Sequence, residues 1–231
     1  MVSVPVERRP RAPRGSGDLL RDEILDAATD LLLETGDARS VSIRAVTRRV
    51  GITPPSIYLH FADKDALLDA VCARYFAKLG LEMQRVAREH ASPVDALRAQ
   101  GQAYVRFAIQ TPELYRIAMM DQWRPGRDID LALYRSAFEH IRTTVQALMD
   151  DGIRLQDDES AIALEFWTAA HGVAAMLIAK PHLPFGDAEA FADRMFQSTF
   201  IGRVVVGLIG GDVTPQDFVA WARAQAPAEE R

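Results

Sequence analysis

The residues with the clearest chemical purpose lie in the stretch from Ala38 to Lys64. This stretch contains five basic side chains against one acid, a net charge of +4, whereas the whole chain of 231 residues has a net charge of −5. The basic members are Arg39, Arg44, Arg48, Arg49 and Lys64. A local basic patch on an acidic molecule is suited to neutralising phosphates at one place.

The same stretch contains the start and stop residues of two short helices joined by a turn. Ser42 is a suitable N-cap for a helix over 43–50, and Gly51 supplies the left-handed residue that ends it. Thr53 followed by two prolines predicts a second helix start, because proline lacks the N–H that a first turn leaves unpaired. The pattern over 42–61 is therefore a helix, a four-residue turn and a short helix. Such a pair can place its second helix in the major groove of DNA.

A longer amphipathic helix is predicted before this pair. Asp18 is its N-cap, and Gly36 ends it. Its apolar positions at helical spacing are Leu20, Ile24, Ala27, Ala28, Leu31 and Leu32. Residues 1–17 contain four arginines, three prolines and two glycines, so we expect a flexible basic arm there.

Several spaced motifs in this part of the chain resemble the DNA-binding domain of the TetR family. They are Ile24-Leu25-Asp26-Ala27-Ala28, Gly36, Ser42-Ile43-Arg44-Ala45-Val46, Gly51-Ile52-Thr53, Ile57-Tyr58-Leu59-His60-Phe61 and Lys64-Asp65-Ala66-Leu67-Leu68. The resemblance covers roughly residues 18–70. It implies an all-α dimer with a helix-turn-helix DNA-binding domain at 18–64. An effector-binding and dimerisation domain would follow at 65–226, with a tail at 227–231.

The resemblance also implies which side chains meet DNA. The predicted set is Ser42, Arg44, Thr53, Pro55, Ser56, Tyr58, His60 and Lys64. Tyr58, His60 and Lys64 would donate to phosphates, and Arg44 would reach a base or a phosphate. Pro55 stands where the family more often has a small or polar residue, so only apolar contact, such as with a thymine methyl, is open to it.

Some side chains of this stretch have structural alternatives. Tyr58 and His60 can instead be half-buried struts between helices, and Phe61 is expected in the core. Arg48 and Arg49 either contact phosphate or form a solvated face.

The rest of the chain also has helical patterning, with no convincing strand. The predicted helices span 63–90, 93–110, 111–121, 128–150, 157–179, 187–209 and 214–224. The helix at 63–90 would connect the two domains. We expect this helix to transmit the conformational change by which an effector shifts the population between DNA-binding conformers.

Helices 157–179 and 187–209 are predicted to form a homodimer interface. In the second helix, Phe191 and Met195 lie on one face, whereas Phe196 and Leu208 are assigned to the opposite face. A helix that is apolar on both sides must be covered on both, and a two-fold partner supplies the second cover. The alternative is a pair of fully buried helices within a monomer.

Aromatic residues in the middle helices predict an effector cavity with a few polar groups, although ordinary core packing is the alternative. The predicted ligand-binding residues are Tyr104, Phe107, Trp123, Tyr134, Phe138, Trp167 and His171. Trp167 and His171, with Gly172, resemble the Trp-His-Gly signature of one C-terminal subgroup of the family. His171 can equally be a satisfied core or interface histidine. A small, largely apolar effector is expected.

Other classes of protein fit the sequence poorly. Nucleophile-elbow, P-loop and zinc-protease motifs are lacking, the five histidines have no metal-ligand spacing, and Cys72 is a single cysteine. We therefore expect no enzyme activity, no metal and no cofactor. The longest apolar run, 167–179, is shorter than the ~20 residues of a membrane span, so a cytoplasmic protein is expected.

The sequence thus predicts a ligand-responsive transcriptional regulator, foremost a repressor. It would bind a palindromic double-stranded DNA operator as a two-fold dimer, with the helix 53–61 in the major groove. The alternative is a helical protein-interaction module that kept the fold without binding DNA. The charge of the stretch from Ala38 to Lys64 argues against that alternative.

Overall fold

A computed structural model describes residues 17–120, 134–210 and 214–225. The regular structure in these ranges is entirely helical, which confirms the predicted all-α class. The α-helices are α1 (Gly17–Thr35), α2 (Ile43–Val50), α3 (Pro54–Ile57), α4 (Lys64–Arg88), α5 (Pro93–Gln110), α6 (Pro112–Met120), α7 (Glu139–Asp150), α8 (Glu159–Ala179), α9 (Ala188–Ile209) and α10 (Pro215–Gln225). A π-helical turn, Tyr134–Phe138, leads into α7. Residues 1–16 of the predicted arm and the predicted tail, 227–231, lie outside the described residues, whereas Gly17, assigned to the arm, begins α1.

Local capping chemistry fixes α2 as the sequence predicted. The Ser42 hydroxyl accepts a hydrogen bond from the backbone N–H of Ala45 at 3.2 Å. Gly51 has φ of 76°, the left-handed conformation that glycine adopts without strain, and its N–H donates to the carbonyl of Thr47 at 2.9 Å. Both predicted ends of α2 are confirmed.

The second helix of the pair is shorter than the predicted 53–61. Its α-helical part is Pro54–Ile57, and a turn follows. The carbonyl of Ile57 accepts hydrogen bonds from the backbone N–H groups of both His60 and Phe61, each at 3.0 Å. These two bonds form a turn over residues 57–61, and the α-helix itself ends at Ile57.

Aspartate caps begin the two long apolar helices. Asp158 accepts from the N–H groups of Ser160 and Ala161 at 2.9 Å, so α8 begins at Glu159. Asp187 accepts from the N–H of Ala190 at 2.8 Å and caps α9. Both predicted helices are confirmed, with starts one or two residues later.

The chain divides into two compact units. The first consists of Met1–Glu82 and Arg106–Ala137, and the second of Met83–Val105 and Phe138–Arg231. In the first unit, α1 packs against α2 and α6, and α2 packs against α3. Its buried apolar side chains include Ile24, Leu25, Leu32, Val46, Ile57, Phe61 and Leu67. The predicted burial of Phe61 is confirmed, whereas the domain ranges 18–64 and 65–226 stay a prediction.

In the second unit, α8 lies between α7 and α9 and contacts both. Gly207 marks the closest approach of α9 to the chain before α8, because a Cβ added there would lie 1.9 Å from the carbonyl oxygen of Arg154. Nearby, the Arg203 guanidinium donates to the Leu155 carbonyl at 2.7 Å and to Asp157 at 2.8 Å. These contacts hold α9 against the residues that precede α8.

Helices α8 and α9 both leave apolar side chains exposed. The exposed fractions are 49% for Leu164, 44% for Met176, 39% for Met195, 58% for Ile201 and 71% for Leu208. We call these five residues the outer apolar set. Helix α8 is also long and apolar enough to cross a bilayer by length and composition, yet it packs between two other helices of this unit.

The assignment of Leu208 to the same face as Phe196 is wrong. Phe196 is 7% exposed, whereas Leu208 is 71% exposed. Successive steps of four residues each overshoot a full turn by about 40°, so three steps carry a side chain about a third of the way around the helix. Leu208 therefore points away from the core that Phe196 faces.

Candidate nucleic-acid interface and effector region

The residues predicted to meet DNA lie on α2, α3 and the adjoining turns of the first unit. Ser42, Arg44, Thr53, Pro55 and Tyr58 are exposed. Ser56, His60 and Lys64 are half-buried. We call these eight residues the reading surface.

The exposed fractions of the side chains from Ile57 to Phe61 show which of them face the core and which face solvent. Ile57 and Phe61 are 0% and 4% exposed, whereas Tyr58 between them is 54% exposed. This exposure favours an outward phenol over the alternative of a half-buried strut. The Arg21 guanidinium lies 5.2 Å from the centre of the Phe61 ring, a cation–π contact that ties α1 to this turn.

Two of the five basic side chains in 38–64 are paired with acids. Arg49 donates to both carboxylate oxygens of Glu34, with Nη1 to Oε2 at 2.7 Å. Arg39 pairs with Asp37, with Nε to Oδ2 at 3.1 Å. The hydrogen bond from Arg49 lowers the pKa of Glu34, and the backbone N–H of Arg39 lowers the pKa of Asp37. These two arginines therefore add little net charge to the surface.

Lys64 has a structural role as well as its predicted one. Its ammonium donates to the carbonyl of Ala38 at 2.7 Å, which ties the start of α4 to the loop before α2. An ammonium has three donors, so two remain for a phosphate.

The outward positive charge of α2 rests on Arg44 and Arg48. Both are exposed, and they are four residues apart, so they share one face of the helix. Arg48, which the predicted set omits, therefore lies beside Arg44 on this exposed face.

Leu59 is a second exposed residue outside the predicted set. It is 84% exposed, more than any other large apolar side chain in the described ranges. Its neighbours on either side, Tyr58 and His60, were both predicted contacts. An apolar residue in a helix-turn-helix is ordinarily assigned to the core. In the sequence, only the place of Leu59 between two predicted contacts indicated an exposed side chain.

In the second unit, four of the predicted effector residues form a line of contacts, which we call the aromatic cluster. The ring centres of Phe138 and Trp167 are 6.4 Å apart in an edge-on arrangement, and those of Trp167 and His171 are 6.0 Å apart. The Tyr104 hydroxyl and His171 Nδ1 are 3.3 Å apart and form a hydrogen bond.

Two polar groups of the aromatic cluster have unusual environments. Burial lowers the pKa of His171, so its imidazole is neutral at neutral pH. Trp167 Nε1 is buried, and it has no hydrogen-bond partner among the described residues. A buried N–H without an acceptor carries a penalty of about 1–3 kcal/mol.

The other predicted effector residues are not part of this cluster. Phe107 belongs to the first unit, where its ring centre lies 4.9 Å from that of Tyr75. Trp123 lies outside the described residues, and only the backbone of Tyr134, in the π-helical turn, is described.

The second unit also contains an apolar cavity of about 70 Å³. Phe166, Phe196 and Phe200 line it together with Gly101. A Cβ at Gly101 would lie 2.8 Å from the Phe196 ring, so that glycine lets the ring reach α5.

Two family profiles match the chain. The profile described as bacterial regulatory proteins, tetR family, matches residues 24–71. The profile described as tetracyclin repressor-like, C-terminal domain, matches residues 97–199. Together they account for about two thirds of the chain.

Curated relatives agree with these profiles. The class D tetracycline repressor protein of Escherichia coli is 28% identical over 147 residues, which are 63% of this chain and 61% of that protein. The regulator AlkX of Mycobacterium tuberculosis is 39% identical over 75 residues, 32% of this chain and 35% of that protein. The chain thus matches about three fifths of the length of the tetracycline repressor.

Solved structures share the fold over most of the chain. A protein of unknown function from Rhodococcus sp. RHA1 has a TM-score of 0.71 and 25% identity, covering 80% of this chain and 95% of that one. A TetR-family transcriptional regulator from Pectobacterium atrosepticum has a TM-score of 0.62 and 20% identity, covering 82% and 95%. With matching profiles in both parts of the sequence, the chain belongs to the TetR family of bacterial regulatory proteins.

Proposed function

We propose that this chain is a cytoplasmic transcriptional repressor that binds a palindromic operator as a two-fold dimer. Helix α3 and the turn after it would enter the major groove, and a small, largely apolar effector would release the DNA. In this proposal, the predicted domain 18–64 binds DNA, and the predicted domain 65–226 binds the effector and forms the dimer.

The observation that carries the proposal is the composition of the reading surface and of the exposed residues beside it, Arg48 and Leu59. Tyr58 is outward while Ile57 and Phe61 on either side are buried, and Arg44 and Arg48 share one exposed face of α2. Hydroxyl and guanidinium groups donate to phosphates, and exposed Pro55 and Leu59 suit thymine methyl groups. A helical protein-interaction module has no need for this combination.

The outer apolar set supports the dimer. Exposed Leu, Ile and Met side chains on two neighbouring helices form a surface that a second copy would cover. A two-fold dimer would hold two reading surfaces about 34–36 Å apart, one helical turn of DNA. The same cover would explain why α8 is apolar nearly all round.

The aromatic cluster supports the effector site, and we assign the Trp-His-Gly subgroup to this chain on its three signature residues. The rings of Phe138 and Trp167 suit a flat apolar body. Trp167 Nε1 lacks a hydrogen-bond acceptor among the described residues, so we expect an effector that carries one. An effector that prefers the DNA-free conformer would weaken DNA binding, and DNA would weaken effector binding equally.

The test is fluorescence anisotropy of the purified protein on DNA that flanks its own gene. The measurement uses two salt concentrations, scrambled DNA, and the double variant Tyr58→Ala/His60→Ala beside the wild type. His182→Ala, an exposed histidine outside the reading surface, is the matched control. We expect binding that falls steeply with salt, is lost in the double variant and is kept in His182→Ala.

Three results would contradict the proposal. Absence of binding to either DNA at low salt would remove the DNA-binding function and favour the interaction module. Unchanged affinity of the double variant would show that DNA binds elsewhere on the chain. Equal binding to scrambled DNA would overturn recognition of an operator in that flanking region.

A further inference from the structure

A groove on the second unit is lined by none of the four side chains of the aromatic cluster. It has a volume of about 320 Å³ and lies among the end of α4, the start of α5 and the middle of α7. Its polar side chains include Gln84, Arg88, His90, Gln100, His140 and Thr143. We call it the polar groove. Its volume is at the lower end of the range for small-molecule sites.

The charge of the polar groove is opposite to that of the whole molecule. None of its twelve lining residues is acidic, although the chain has 32 Asp and Glu residues and a net charge of −5. Arg88 is exposed at the groove. Burial lowers the pKa of His140 most, whereas the neighbouring Glu139 raises that pKa and Arg88 lowers it. A bound anion would be attracted to the Arg88 guanidinium.

Gln100 adds an unfilled hydrogen-bonding group. Its side chain is 2% exposed, and its amide nitrogen donates to the carbonyl of His140 at 3.3 Å. Its amide oxygen is buried and has no hydrogen-bond partner among the described residues. A buried carbonyl oxygen without a donor is costly, so a ligand hydroxyl at that place would be favoured.

The remaining lining residues limit the size and shape of the ligand. They include the small apolar residues Ala87, Ala91, Ala96 and Ala147. Their methyl groups would contact a short carbon skeleton and give no pocket for an aromatic ring. The groove therefore differs in chemistry from the aromatic cluster.

We propose that the polar groove is a second ligand site, which takes a small hydroxycarboxylate. Its carboxylate lies against Arg88, His90 and His140, its hydroxyl donates to Gln100 Oε1, and its carbon chain contacts the alanines. This site is independent of the proposed DNA binding, since it uses none of the reading surface and none of the aromatic cluster.

Isothermal titration calorimetry of the full chain without DNA tests the proposal. The probes are malate, succinate, sulfate and glycerol. We expect saturable binding of malate, weaker binding of succinate, which lacks the hydroxyl, and none of glycerol. Arg88→Ala is expected to weaken malate binding about tenfold or more, because it removes a charge-assisted contact. Arg85→Ala, on the same helix but outside the groove lining, is the control and should leave malate binding unchanged.

A second variant and a spectroscopic measurement separate binding in the groove from a change in folding. Gln100→Met keeps the size of the side chain, and the Thr144 hydroxyl still donates to the His140 carbonyl at 3.0 Å. This variant should remove the preference for malate over succinate. In histidine NMR spectra, malate should shift the resonances of His90 and His140 and leave those of the other three histidines in place.

Several outcomes would overturn the assignment. Absence of saturable malate binding would remove the site. Equal affinities for sulfate and malate would show a general attraction for anions. Unchanged affinity in Arg88→Ala, or shifts of histidines outside the groove, would place the ligand elsewhere.

Discussion

The helix pair α2–α3 and the helix pair α8–α9 acquire their structures in opposite ways. The first pair has eight and four residues, lengths at which an isolated helix is unstable in water. Ser42, Gly51 and the two prolines fix its ends locally, and buried Val46 and Ile57 attach it to the first unit. The second pair has 21 and 22 residues, and it is apolar on several sides.

The comparison shows where function can be inferred in each unit. Around α2–α3, the exposed side chains include hydroxyl and guanidinium groups, so their chemistry favours DNA as the partner. Around α8–α9, exposed apolar side chains indicate only that a surface needs cover. In the aromatic cluster and the polar groove, the informative groups are two buried polar atoms, Trp167 Nε1 and Gln100 Oε1, for which the described part of the chain supplies no hydrogen-bond partner.

The largest expected effect concerns the outer apolar set on α9. In the double variant Ile201→Glu/Leu208→Glu, each copy would place two carboxylates where a second copy covers apolar groups. Loss of about 1.5–3 kcal/mol for each buried side chain should dissociate the dimer at micromolar concentration. Sedimentation velocity should show a monomer, and operator binding should fall with it.

Leu81→Glu is the matched control for that variant. Leu81 is 67% exposed but lies on α4, outside both predicted interface helices. A dimer that persists in Ile201→Glu/Leu208→Glu, or that dissociates equally in Leu81→Glu, would contradict the assigned interface.

The next effect concerns the packing of α9 within its own unit. Gly207→Ala would place a methyl group on the backbone carbonyl of Arg154, so overpacking should lower the free energy of unfolding by about 1–3 kcal/mol. Gly202→Ala on the same helix meets nothing within 4 Å and should raise it by up to about 1 kcal/mol, because alanine is the better helix former.

Urea unfolding measures both glycine variants. The measurement is made in the Ile201→Glu/Leu208→Glu background, so that a second copy does not contribute. Equal effects of the two substitutions would show that α9 does not approach residue 154 closely.

A smaller effect separates free from paired arginines beside the reading surface. Arg48 is exposed, whereas the neighbouring Arg49 donates to Glu34. Arg48→Ala should lower the slope of log affinity against log salt by about 0.9, the value for one phosphate contact. Arg49→Ala should change the slope less, because Arg49 is paired with Glu34. Anisotropy on the same DNA measures both, and the reverse order would show that the Arg49–Glu34 pair opens on DNA.

The smallest effect is a pH dependence of stability in the second unit. Burial lowers the pKa of His171 below its ordinary value of 6.5, so the unfolded state binds more protons just below that pH. The stability that neutral His171 contributes is complete above pH 6.5, and it is lost as the pH falls through the lowered pKa. His171→Gln should therefore flatten the decrease in unfolding free energy between pH 7.5 and 5.

Exposed His182→Gln is the control for this measurement. Burial also lowers the pKa of His140, so some pH dependence should remain in His171→Gln. An unchanged profile in His171→Gln would show that the imidazole is solvated in the folded state.

The sequence by itself determined the elements that depend on local chemistry. The cap at Ser42, the left-handed Gly51, the proline start of α3 and the all-helical class could all be predicted, because each depends on residues within a few positions of one another. The amphipathic spacing also placed Phe61 in the core. The spaced motifs of residues 24–68 identified the family for the same reason, since they retain their relative positions along the chain.

Only the tertiary structure decided the relationships between distant residues. Arg49 meets Glu34 and Lys64 meets the Ala38 carbonyl across 15 and 26 positions. Tyr104 reaches His171 across 67 positions, while Phe107, three residues later, packs in the other unit. Leu208 lies outward although helical steps of four grouped it with Phe196. Periodicity tells which side of a helix is apolar, but the neighbouring backbone decides which apolar side chain is buried and which polar atom lacks a partner.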